Sequence, residues 1–131
     1  METSLNIGKV IKEILYRDEA LNTLVKGQVF PLIAEENTTF PFIVYRRNSI
    51  RKASTKDYVN DEIASVDVVI ASDKYSQSVE IAERVRFILE RCEYEGENFS
   101  VDNITLSNGS EQYMQNTYIQ TLTFEIEINN F

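Results

Sequence analysis

Apolar positions change their period several times along this chain. Ile7, Val10, Ile11, Ile14 and Leu15 follow the i, i+3, i+4, i+7, i+8 spacing of a helical stripe, with Lys9, Lys12 and Glu13 on the other face. A first helix is therefore expected over roughly Ser4 to Arg17. Asp18 to Lys26 adds a helical turn with Leu21, Leu24 and Val25 inward, and Gly27 ends it. "QVFPLIAEE" reads as a short strand. Pro31 cannot donate to a ladder, so this is an edge strand or a strand end. Pro41 opens a strand from Phe42 to about Arg47, rich in aromatic and β-branched residues. Phe42, Val44 and Arg46 point one way; Ile43, Tyr45 and Arg47 point the other.

A polar stretch, Asn48 to Asp61, links this strand to one from about Glu62 to Ala71. Val66, Val68 and Ile70 share one face there. Val69 and Ala71 lie opposite, beside Asp67, so both faces are expected to be partly covered. A second helix spans roughly Tyr75 to Glu93. Tyr75, Val79, Ala82, Val85, Leu89 and Cys92 share a face, which Ile81 and Ile88 widen. Val101, Ile104 and Leu106 mark another strand, closed by "SNGS". A polar segment to Thr117 precedes the last strand, Tyr118 to Ile128, where Leu122, Phe124, Ile126 and Ile128 alternate with Thr121, Thr123, Glu125 and Glu127. The order α-β-β-β-α-β-β predicts a single α+β domain over residues 1–131. Its antiparallel or mixed sheet would have about four or five strands, with two main helices packed on one face.

Composition changes the picture by exclusion. The chain has no histidine, one cysteine and four glycines. Ser-His-Asp and Cys-His catalysis and histidine-containing metal sites are excluded, a four-cysteine zinc site cannot form, and no glycine-rich phosphate loop is present. No convincing carboxylate pair replaces them, so neither an enzyme nor a cofactor is expected. Cys92 lies in the apolar register of the second helix and reads as a structural thiol. A lone cysteine also points to a reducing compartment. No apolar run reaches the ~20 residues that span a membrane. The net charge of −8 repels nucleic acid overall.

Two features remain as candidate sites. The strand-to-helix turn "ASDKYS" offers Ser72, Asp73 and Ser76, all good N-cap residues. It lacks the glycine of an anion cradle, and Asp73 would repel a phosphate, so capping is the better reading. The basic stretch Arg46, Arg47, Arg51, Lys52 and Lys56 has no acid within it. It is either a solvated hairpin loop or an arm that docks on an acidic surface; Tyr58 alone is thin for stacking bases. The richest acidic surface is the chain's own, with Glu80, Glu83, Glu90, Glu93, Glu95 and Glu97. Opposite patches on one chain favour head-to-tail contacts between copies, and such contacts close into rings.

One ordered set of segments carries a family resemblance. "ALNTLVKGQVFPLIAEENTTFPFIVYRR" has a leading helix, a G-x-V-F-P step and "FPFIVYRR"; "VDVVIASDKYSQSVEIAERVRFIL" and "YIQTLTFEIEI" follow. In order and spacing the chain, from about residue 5 to 128, resembles the tail-completion, or tail-terminator, proteins of long-tailed bacteriophages and prophages. The match is best at Gly27 to Pro31, Pro41 to Tyr45 and Val66 to Leu89. It is weakest in the Asn48 to Asp61 loop and from Glu93 to Thr117.

The resemblance implies a structural virion protein of the tail and neck, assembled in the bacterial host cytoplasm. It would form a hexameric ring that stops tube polymerisation at the head-proximal end. Its partners would be its own copies, the tail tube protein and the head-completion or connector protein. DNA would pass through the lumen without being read, and no membrane, catalysis or cofactor belongs to the role. Other expectations stay open at this point: another head-closure or minor capsid component, or a small acidic immunity-type protein that binds one partner one-to-one.

Overall fold

A computed structural model describes residues 2–53 and 61–131. A 3-10 turn, Ser4–Asn6, leads into α1, Ile7–Arg17; α2 covers Glu19–Val25. Three strands follow: β1, Val29–Pro31; β2, Phe42–Lys52; β3, Asp61–Ser72. After α3, Tyr75–Glu90, come β4, Tyr94–Glu95; β5, Phe99–Met114; and β6, Thr117–Asn130. The strands form one sheet in the order β1-β2-β3-β6-β5-β4. Among the described residues only β1 and β2 run parallel; the other pairs are antiparallel. The helices pack on one face, so the expected α+β class is observed, with six strands instead of four or five.

The apolar stripes become the core. Ile7, Val10, Ile11, Ile14 and Leu15 of α1 are buried, as are Ile81, Ala82, Val85 and Leu89 of α3. They meet Ile43, Val66, Val68 and Ile70, and Leu122, Phe124, Ile126 and Ile128, on the inner sheet face. Each large side chain so buried contributes about 1.5–3 kcal/mol. Gly8 lets α1 approach β2 closely: a Cβ there would lie 3.1 Å from the Tyr45 ring. Gly27, at φ 70°, and Lys26, at φ 56°, carry the left-handed exit from α2.

Asp18 fastens the helical layer. It caps α2 by accepting the Leu21 N–H at 2.9 Å and takes both Nε and Nη2 of Arg84, from α3. The Arg84 guanidinium holds its carboxyl below the usual carboxylate range. Asp18→Ala removes a cap and a partly exposed ion pair, so a loss of about 1–2 kcal/mol is expected by urea denaturation. Arg84→Ala, which spares the cap, is expected to cost less.

Several boundaries differ from the pattern reading. β2 does not end at Arg47. It continues through a bulge at Asn48 to Lys52, so the first five residues of the expected polar link are strand. "SNGS" does not close β5, and the polar segment before Thr117 is its outer half. That outer half is exposed on both faces and shows no apolar alternation. Gln115 and Asn116, both at positive φ, make the two-residue turn into β6. α3 stops at Glu90, so Cys92 lies past its end and is half-buried, and Tyr75 is 50% exposed. Among the aromatic side chains, Tyr45 and Phe124 are buried, while Phe30 and Phe42 are half-buried on the outer sheet face and Phe40 is exposed.

Candidate assembly surfaces

The bulge at Asn48 decides where the basic residues go. Before it Arg46 pairs in register with Asp67, and Arg47 with Val66; after it Arg51 pairs with Ile63, and Lys52 with Glu62. Arg46 and Arg51 therefore sit on the sheet face away from the helices, and Arg47 and Lys52 on the helix side. The expected single basic patch is a strip along the β2 edge that spills onto both faces. Lys56 lies outside the described residues.

Two of these arginines already have partners within the chain. Arg46 donates to Asp67 at 2.8 Å, and Arg47 donates to the Leu5 carbonyl at 2.6 Å. Asp67 also accepts the Thr123 hydroxyl at 2.6 Å. Burial opposes its charge, but hydrogen bonds from Thr123, Asn48 and Arg46 outweigh it, and the carboxyl is held below its ordinary value. Arg46 is thus an anchor for the middle of the sheet as well as an exposed cation. Arg51 and Lys52 are exposed.

On the acidic side, Glu80 and Glu83 are exposed on α3. Glu90 is half-buried; its carboxylate accepts Arg86 Nε at 2.8 Å and the Leu106 N–H of β5 at 3.1 Å. It therefore sits at the sheet's far edge, across from the basic strip. The cap reading of "ASDKYS" holds only in part. The N-cap residue is Lys74, with no side-chain bond of its own. Ser72, fully buried at the end of β3, accepts the Lys74 N–H and donates to Gln77.

The pattern reading missed a third surface. At the hairpin end of the sheet the Tyr118 ring meets Tyr75 in a T-shaped contact and lies tilted against Tyr113, with ring centroids 5.7 and 4.8 Å apart. They line a shallow pocket of about 270 Å³ with Glu111 and Gln120. Glu111 accepts the Tyr75 hydroxyl and Gln120 Nε2, and Gln120 donates also to Ser78. Tyr113 and Met114 are more than half exposed. The only sequence signal was the clustering of tyrosines around the Gln115–Asn116 turn.

The family model for tail completion protein gp17 matches residues 9–129. The chain belongs to this family. Tail completion proteins are structural components of phage-like particles and not enzymes. The fold agrees: a chain of the native gene transfer agent particle's virion superimposes with a TM-score of 0.80 at 12% identity, covering 92% of each chain. At that identity the likeness is one of fold. No curated protein matches the chain in sequence. The match to residues 9–129 takes in both the basic strip and the acidic helix, so the two surfaces belong to the family domain itself.

Proposed function

We propose that this protein ends a tail tube at its head-proximal side as a hexameric ring, with its other side presented to the head connector. Family membership carries the reading, and the opposite charges at the two sides of the sheet support it. Each copy would bring Arg46, Arg47, Arg51, Lys52 and Lys56 toward Glu80, Glu83 and Glu90 of the next. The tail tube protein and a connector are its partners, and the acidic subunit leaves DNA free to slide through the lumen.

The test is a tube-growth assay. Purified tail tube protein is allowed to polymerise with and without this protein, and tube lengths are measured by electron microscopy. Capped tubes of limited length are expected, together with a light-scattering mass near six subunits that falls at high salt. Unrestricted tube growth would remove the reading. Because Arg46 and Arg47 also hold the fold, the clean charge reversal is Arg51→Glu with Lys52→Glu. Weakened assembly of a folded monomer is expected from that pair.

A further inference from the structure

The sheet leaves two stretches of strand edge unpaired, one on each side. β1 covers β2 only from Ile43 to Tyr45, and among the described residues no strand lies beside Arg46 to Lys52. β4 covers β5 only at Ser100 and Val101. Glu90 takes the Leu106 N–H, which leaves Ser107 to Met114 open. Rows of free N–H and C=O groups of this length are a template for another strand.

The two edges fit each other. β2, β3, β6 and β5 alternate in direction, so β5 of one copy meets β2 of a rotated copy antiparallel. Backbone groups of Ile43 and Tyr45 aim outward, toward β1. The register carries that side through the bulge to Arg47, Ile50 and Lys52. On β5 the outward side passes from Leu106 to Gly109, Glu111 and Tyr113. Placing Arg47 opposite Tyr113, Ile50 opposite Glu111 and Lys52 opposite Gly109 brings every outward pair into hydrogen-bonding position, with Asn48 as the one extra residue. Glu111 then lies diagonally between Arg47 and Lys52 on the same face.

The covered parts also clear each other. In this register β1 of the next copy starts level with the Gln115–Asn116 turn, past the end of β5, while β4 and Glu90 fall beyond Lys52. Within the sheet Ile50 is level with Ile104. Meeting Glu111 instead offsets neighbours by about six residues, or roughly 20 Å at ~3.3 Å per residue. Across four strands ~4.8 Å apart, this inclines the strands by roughly 45°, at the upper end of the ~35–45° tilt of closed barrels.

We propose that copies join head to tail by pairing the Arg46–Lys52 edge of one with the Ser107–Met114 edge of the next, so that the sheets of the assembly run on as one closed surface. The proposal rests on the ring reading above and gives its contact a register.

Two single-cysteine proteins test it, both in a Cys92→Ser background. Ser49→Cys and Gln112→Cys would face each other as a non-hydrogen-bonded pair on the outer face, close enough for a disulfide. Oxidising their equimolar mixture at high concentration is expected to give the mixed S49C–Q112C dimer in clear excess over the twofold share that random pairing would give it relative to either homodimer. Gly109→Pro removes an N–H that points outward, so its own ladder is kept. With the hydrogen bond to the next copy gone, the yield should fall about tenfold. No disulfide, or a mixed dimer at no more than the twofold share that random pairing gives, would overturn the pairing. Tubes capped by a protein that gives no mixed dimer would overturn it too, yet leave tail completion standing. A mixed dimer without any effect on tube length would uphold the pairing and remove the capping role.

Discussion

Phe124→Ala is expected to cost about 3–5 kcal/mol, the largest single loss among the substitutions considered. Phe124 is fully buried on the inner face of β6, in register with Val66 of β3 and Leu106 of β5. Removing the ring takes away its transfer free energy and leaves a cavity in the layer under α3. Domains of this size are stable by about 5–15 kcal/mol, so the variant should sit near the edge of folding. Chemical denaturation measures it directly. Glu125→Ala, one residue on but exposed, is the control and is expected to stay within about 0.5 kcal/mol. A loss below about 1 kcal/mol at Phe124 would contradict the packing described for β6.

Asp67→Ala is expected to cost about 1–3 kcal/mol, because it leaves the part-buried Thr123 hydroxyl without its acceptor and removes the ion pair to Arg46 on the outer face. Its carboxyl is depressed in the folded chain, as are those of Asp18 and Glu90. A depressed carboxyl stabilises the fold fully above its unfolded pKa, near ~4. It loses that contribution as pH falls through the lower folded value. Stability should therefore be flat around neutrality and fall below about pH 4. In Asp67→Asn the fall should be shallower, since one proton-linked group is gone. An unchanged acid limb in that variant would show that Asp67 carries no part of the linkage.

The helices were legible because burial on one side writes a 3.6-residue stripe, and α1 and α3 have one. β3 and β6 were legible because one face is buried and the other wet. The outer halves of β2 and β5 were not, since exposed strand carries no apolar alternation to read. The bulges compound this: at Asn48 and near Ser107 the period of two slips, and residues change face without any sign in composition. For the assembly surfaces, the sign of each charge was plain from sequence. What Arg46 holds was not, because its partner lies 21 residues away and depends on register. The free edges could not be foreseen either, since an edge is defined by the strands that fail to reach it.

The strand order has a kinetic meaning. β1 to β3 come from the first part of the chain and β4 to β6 from the last, and the two groups join only along β3 and β6, from Asp61 with Asn129 to Ser72 with Tyr118. The β5–β6 hairpin is local and can zip on the scale of ~1–10 μs. The β3–β6 seam must close a long loop through α3 first, the kind of contact that slows folding. Until β6 has left the ribosome, the inner edge of β3 stays bare, and the nascent chain carries a template for mispairing at its centre. The seam is thus the most non-local pairing of the sheet, and the one expected to limit how fast the domain folds.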